Sequence, residues 1–230
     1  MANAPRPGPE RSRDLDAMVA NVEMTLISIV QGVALSYLAD ASRPVLFELR
    51  VASLPYVLVG LLVIFMAWSR TVLHALTVVR WPLELGHNFL YLSAALLEVL
   101  LFSRVADHRG WYPLGAAYMS LVWLTFLYDF RLLRARFVGA VGPAGERLRR
   151  ALEADQRLHV RRLLPAAVAS WVAGALAVRR WPTIFLDDGW HVALALAQLA
   201  GFAAYLAFTV RFFGELSELV AATHREEDGA

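Results

Sequence analysis

The chain contains no cysteine and no lysine. Without cysteine there is no disulfide framework, no thiolate metal site and no cysteine nucleophile. All 22 basic residues are arginine. Beside the abundance of Ala, Leu and Val, that usage reads as a high-GC bacterial genome rather than as chemistry. Charge of either sign is scarce: 18% of the 230 residues are charged, against about 25% in an ordinary soluble domain. The net charge of +2 is too small to suggest a nucleic-acid partner. Also missing are a Gly-rich phosphate loop, a His-Glu-x-x-His pair and a Gly-x-Ser-x-Gly elbow. The six histidines, at 74, 87, 108, 159, 191 and 224, are scattered without metal-ligand spacing. The expectation is a protein that is not an enzyme and holds no cofactor or metal.

What is present is hydrophobic: 58% of the chain, with a mean hydropathy of +0.50. A helix needs about 20 mostly apolar residues to cross a hydrocarbon core about 30 Å thick. Six segments qualify: Met18 to Leu38, Leu54 to Trp68, Leu83 to Phe102, Trp111 to Phe130, Leu163 to Val178 and Trp190 to Phe213. Trp68, Trp81, Trp111, Trp181 and Trp190 fall at or near their ends, as an aromatic belt requires. So many apolar stretches cannot all be buried in so short a chain without lipid. The fold class expected is therefore all-α, a polytopic membrane protein with six transmembrane helices. Residues 1–15 read as a flexible tail, 16–214 as the membrane domain and 215–230 as a second tail. No cleavable signal is visible, because the first apolar stretch is long enough to remain as a span.

Sidedness follows from the arginines. With the N-terminus inside, the inner segments hold 16 Arg and the outer loops 6. Both termini are thus expected in the cytoplasm, and the chain in the bacterial inner membrane. The one sizeable loop, residues 131–162, carries nine of the inner arginines. Gly139, Gly142, Pro143 and Gly145 break the chain there. Beyond them, Glu146 to Arg162 shows helical spacing through Leu148, Leu152 and Leu158, with the pairs Glu146–Arg150, Arg149–Glu153 and Glu153–Arg157. Arg147, Arg149, Arg150, Arg157, Arg161 and Arg162 are candidates to contact anionic headgroups or a cytosolic or membrane protein partner. They are equally what the topology rule alone would place there.

Arg80-Trp81-Pro82 and Arg180-Trp181-Pro182 occupy corresponding positions before the third and sixth spans, and His87 and His191 follow them. Two units of three helices in opposite orientation, an inverted repeat, would produce that pattern. Ionisable groups inside spans are costly unless paired or wetted, so they carry functional information. At 100° per residue, Glu84, His87, Asn88, Tyr91, Ala95 and Glu98 share one face of the third span within about 100° of arc. The 14 steps from Glu84 to Glu98 cover about 21 Å. The first span has a milder stripe of Asn21, Thr25, Ser28, Gly32 and Ser36, with Gln31 at its edge. His191, Gln198, Tyr205 and Thr209 line up on the sixth. Tyr118, Thr125 and Asp129 do so on the fourth. The first, third, fourth and sixth helices are expected to face the protein interior, and the nearly apolar second and fifth to face lipid. The stripes suit an ion or proton path, or simple interhelical hydrogen bonding. Glu84 and His87 could also pair with Arg70 or Arg80, and Asp129 with Arg131.

Several features together resemble a known family. Six spans, the run His87-Asn88-Phe89-Leu90-Tyr91-Leu92 after a segment with Trp68 and His74, and a basic helix entering Arg161-Arg162-Leu163-Leu164-Pro165 are similar to bacterial homologues of the endolysosomal potassium channels. The resemblance implies a homo-oligomer whose first helix lines the pore and whose gate is an apolar constriction. The family's first helix carries Phe-Ser-Asp after an Arg, whereas this chain reads Met18-Val19-Ala20-Asn21-Val22-Glu23. No pore residue is carried over. The expected function is a K+ or H+ channel or ion-coupled transporter with its polar path along the third helix. The alternative is a non-conducting module that binds a partner or senses the bilayer through the basic loop.

Overall fold

The structure is a computed structural model that describes residues 9–77, 85–136 and 142–228. These residues form seven α-helices: α1 (Pro9–Phe47), α2 (Leu54–Thr77), α3 (Leu85–Phe102), α4 (His108–Arg136), α5 (Pro143–Leu158), α6 (Leu164–Arg180) and α7 (His191–Asp228). No strand occurs among the described residues. Among the described residues, five stretches are long and apolar enough to cross a membrane: Met24–Phe47, Val51–Val72, Leu85–Phe102, Pro143–Arg180 and His191–Thr223. The chain therefore has the make-up of a membrane protein. The segment expected as the fourth span lies in α4 and is not among these five. The polar rings of Trp111, Tyr112, Tyr118, Trp123 and Tyr128 lower its hydropathy. That polarity suits a helix packed extensively on both α3 and α6, where ring N–H and O–H groups meet protein.

Several helix boundaries have a local cause. Asp107 caps α4, its carboxylate accepting the Gly110 backbone N–H at 3.2 Å. Pro143 opens α5 from Gly142, whose φ of +120° is open to a residue without a Cβ. Pro165 has no N–H to give the preceding turn, and that turn, His159–Leu163, widens to a π-helix joining α5 to α6. A second π-turn, Thr183–Asp187, follows Pro182 and separates α6 from α7.

The long helices alternate in direction. Ser53 meets His108 and Tyr56 meets His191 at one end of the bundle, called the far end below. Arg70 meets Asp155 and His87 meets Asp129 toward the other, the base, where α5 lies. The main core runs from Val45 and Tyr56 through Leu101, Trp111 and Trp171 to Ala195. A smaller one docks α5: Leu148 and Leu152 pack with Leu133 of α4 and Leu216 of α7.

The packing corrects which helices face outward. α2, expected on the lipid side, has the most buried apolar stretch of the five, and α7, expected inside, has the least. Tyr56, Val59 and Val63 of α2 are all buried, and a Cβ at Gly60 would lie 2.9 Å from Leu38 of α1. Lipid is as apolar as leucine, so an apolar helix gains nothing from facing it, and close backbone approach decides instead. The two halves also pack differently. α3 lies on α1 and α4, whereas α7 lies on α2 and α5, so these contacts give no three-plus-three pattern. Arg80-Trp81-Pro82, half of that proposed repeat, falls outside the described residues.

Candidate functional site

The polar stripe of α3 ends at its most buried member. Glu98 is 1% exposed, and its Oε2 accepts a long 3.5 Å bond from Nε2 of Gln31 on α1. Oε1 of Glu98, Oε1 of Gln31 and the hydroxyl of Tyr91 are all buried without a hydrogen-bond partner. They border a cavity of about 120 Å³ whose wall also includes Tyr118, Tyr205 and Arg70. The rest of the wall is mainly apolar, and unpartnered polar atoms at such a cavity cost free energy unless water or an ion meets them. A carboxylate with no cation in contact is among the costliest groups to keep there. The arrangement can take up a proton on Glu98, or coordinate a small cation with oxygens from α1 and α3.

Arg70 closes the base of this cavity. Its Nη2 donates to Oδ2 of Asp155 at 2.5 Å, with the two side chains 11% and 4% exposed. The guanidinium also sits over the Phe126 ring, 5.7 Å from its centre. His159, fully buried, donates from Nδ1 to the Asp155 backbone oxygen at 2.8 Å, since a carbonyl can only accept. A neutral ring then accepts at Nε2 from the Tyr205 hydroxyl, 2.7 Å away. Five elements therefore meet here: α2, α4, α5, the π-turn and α7.

The expected path does not form one line. Glu84 lies outside the described residues. Gln31, Tyr91 and Glu98 do come together. His87 pairs with Asp129 at 2.7 Å, rather than with Arg70, and Asp129 takes His87. Asn88 is half-buried one step further along. Asn21 and Ser28 are exposed on the outer side of α1, as are Thr25, Gly32 and Ser36, and the Ser28 hydroxyl turns back to the Met24 carbonyl at 2.8 Å. The helical period groups that stripe correctly but cannot say which way it faces. His191 belongs to the far end, its Nδ1 3.0 Å from the Tyr56 hydroxyl and its ring stacked on His108 at 3.9 Å. Gln198 accepts from Trp111 Nε1 at 3.3 Å.

The base cluster is what the apolar pattern misses. Leu148, Leu152, Asp155 and His159 recur at intervals of four, three and four, so the acid and the imidazole share the apolar face of α5. Among the basic candidates, Arg149 bridges Glu146 and Glu153, at 2.7 and 2.5 Å. Arg150 reaches Glu146 at 3.2 Å, and Arg147 donates to the Pro143 carbonyl. Glu153 therefore pairs with Arg149 and not with Arg157. No metal-binding cluster occurs among the described residues.

Fold and site together define an all-helical protein with membrane-length apolar helices and a buried carboxyl bordering a partly open cavity. No family matches the chain, and neither a curated protein nor a solved structure does.

Proposed function

We propose that the chain is a six-span protein of the bacterial inner membrane that moves a monovalent cation, H+ or K+, past Glu98. The observation that carries this reading is the set of unpartnered oxygens of Gln31, Tyr91 and Glu98 on one partly open cavity. Besides the five apolar stretches, α4 supplies the remaining span, the fourth in chain order, from Trp111 to Phe130. The 16-to-6 arginine bias supports a cytoplasmic base, with both termini and α5 on that side. The outward polar stripe of α1 supports a homo-oligomer, because exposed Asn, Thr, Ser and Gly on a membrane helix favour contact with a second helix over lipid.

The test is flux through purified protein in liposomes, under imposed H+ or K+ gradients. Wild type passes one of the two ions, Glu98→Gln abolishes the flux, and His87→Ala alters it. No flux above empty liposomes, across a range of pH and voltage, overturns the proposal.

A further inference from the structure

Two features beside the Glu98 cavity meet at one turn of the chain. The first is a gap. α6 and α7 follow one another in sequence yet make no extensive contact. Between them, against α4, lies a space of about 400 Å³. Its walls are mainly apolar, with Leu163 and the small Ala167 and Gly174 on one side and Ala197 and Gly201 on the other. Ala197 and Gly201 are exposed, and nothing lies within 4 Å of where a Gly201 Cβ would be.

The second feature is a basic groove of about 450 Å³ on the outer side of α5 and the π-turn. Arg150, Arg157, Arg161 and Arg162 line it, with Glu153 as the one acid. Arg150 and Glu153 are already engaged with Glu146 and Arg149. Arg157, Arg161 and Arg162 are exposed and form no ion pair among the described residues. Arg162 borders the groove, and the next residue, Leu163, lines the gap. Arg162 also lies one turn before Ala166, another gap residue, on the same side of the helix. Unneutralised charge thus adjoins an unfilled apolar space where the polar helix α5 gives way to the apolar α6.

We infer that this junction binds one anionic phospholipid, its phosphate on Arg161 and Arg162 and an acyl chain between α6 and α7. Charge complementarity selects the headgroup: a cluster of cations at a helix end favours a phosphate whose charge is not offset by an ammonium in the same headgroup. The gap selects a lipid over a free anion, because only an amphiphile fills both parts. The inference does not rest on ion movement past Glu98, although Met119, Leu164, Phe202 and Tyr205 border both spaces.

The experiment uses the full chain, delipidated in a neutral detergent and titrated with dioleoyl-phosphatidylglycerol, dioleoyl-phosphatidylcholine or inorganic phosphate. Native mass spectrometry reads the occupancy. One phosphatidylglycerol per chain is expected, at least tenfold tighter than phosphatidylcholine. At about 1 kcal/mol per arginine, the Arg161→Gln/Arg162→Gln variant loses about thirtyfold for phosphatidylglycerol. Gly201→Phe, which fills the gap and leaves every arginine in place, weakens phosphatidylglycerol as well. Helix content and melting temperature check each variant, and Ala197→Met is the second gap filler if Gly201→Phe does not fold. Equal binding of the two lipids overturns the inference, as does full phosphatidylglycerol binding by the double Gln variant. Undiminished binding by both gap fillers reduces the site to surface attraction and overturns the seat. Phosphate binding as tight as the lipid assigns the arginines to a free anion. A dimer that binds no lipid assigns the gap to a second copy.

Discussion

Breaking the Arg70–Asp155 pair should destabilise the protein far more than a surface ion pair would. Both side chains are nearly buried, at 11% and 4% exposure. Removing one member leaves the other as an uncompensated charge, a change that costs about 3–5 kcal/mol. An exposed pair would lose about 0.2–1 kcal/mol. Asp155→Leu keeps the His159 hydrogen bond to the backbone oxygen and removes only the longer 3.4 Å contact between Asp155 Oδ1 and His159 Nδ1. The loss therefore reports mainly on Arg70. On the scale of a soluble chain of similar length, where 1 kcal/mol shifts Tm by about 2–4 °C, the drop is about 6–20 °C. Arg70→Met should cost a similar amount by orphaning Asp155. The double variant, Arg70→Met with Asp155→Leu, removes both charges and should return to within about 1–2 kcal/mol of wild type or exceed it. The assay is thermal unfolding in one detergent for all four proteins of the cycle. Single losses below about 1 kcal/mol, or a double variant whose loss equals the sum of the singles, would refute the reasoning.

Three further outcomes follow from the packing. A Cβ at Gly115 would overlap the Trp171 ring, so Gly115→Ala should separate α4 from α6 and lower stability by at least about 1–3 kcal/mol, read as a fall in Tm. The Tyr56 hydroxyl lies 3.0 Å from each of the Tyr112 hydroxyl, His191 Nδ1 and the His191 carbonyl; Tyr56→Phe should cost about 1–3 kcal/mol in the same assay, and an unchanged Tm would count against that network. His108 precedes the apolar part of α4, and burial first, then the neighbouring His191 imidazole, push its pKa down from 6.5 to about 4, with Asp107 opposing. The unfolded chain then binds the extra proton, so stability should fall as the pH drops from about 6.5 towards about 4, and His108→Phe should flatten that part of the Tm profile.

The helices and their polar faces were legible because membrane length and helical period are properties of one segment. Which faces meet depends on two segments, and period alone does not supply that. The Asn21–Ser36 stripe of α1 turns outward, while Gln31 at its edge turns in to Glu98. α2 shows the same limit, since its apolarity reads as lipid contact until Gly60 is seen lying against Leu38. The base cluster was partly readable. Spacing by hydrophobes alone gives Leu148, Leu152 and Leu158 as the inner face of α5. Extending the period through polar residues gives Asp155 and His159, and a buried acid there requires a cation from another helix. Arg70 supplies it because α2 continues beyond Trp68 to Thr77.

Glu98 separates a structural role from an ionic one. If the carboxyl were there to tie α3 to α1, its contribution would rest on one hydrogen bond of 3.5 Å, the long limit of such contacts. Gln at this position keeps an acceptor oxygen for Gln31 and nearly the same volume, so Glu98→Gln should change stability by less than about 1 kcal/mol. It cannot titrate, however, and it carries no charge for a cation in the cavity. Loss of flux at an unchanged Tm would therefore assign Glu98 to the moving ion. Loss of both together would make it a packing residue and remove the cavity as a path.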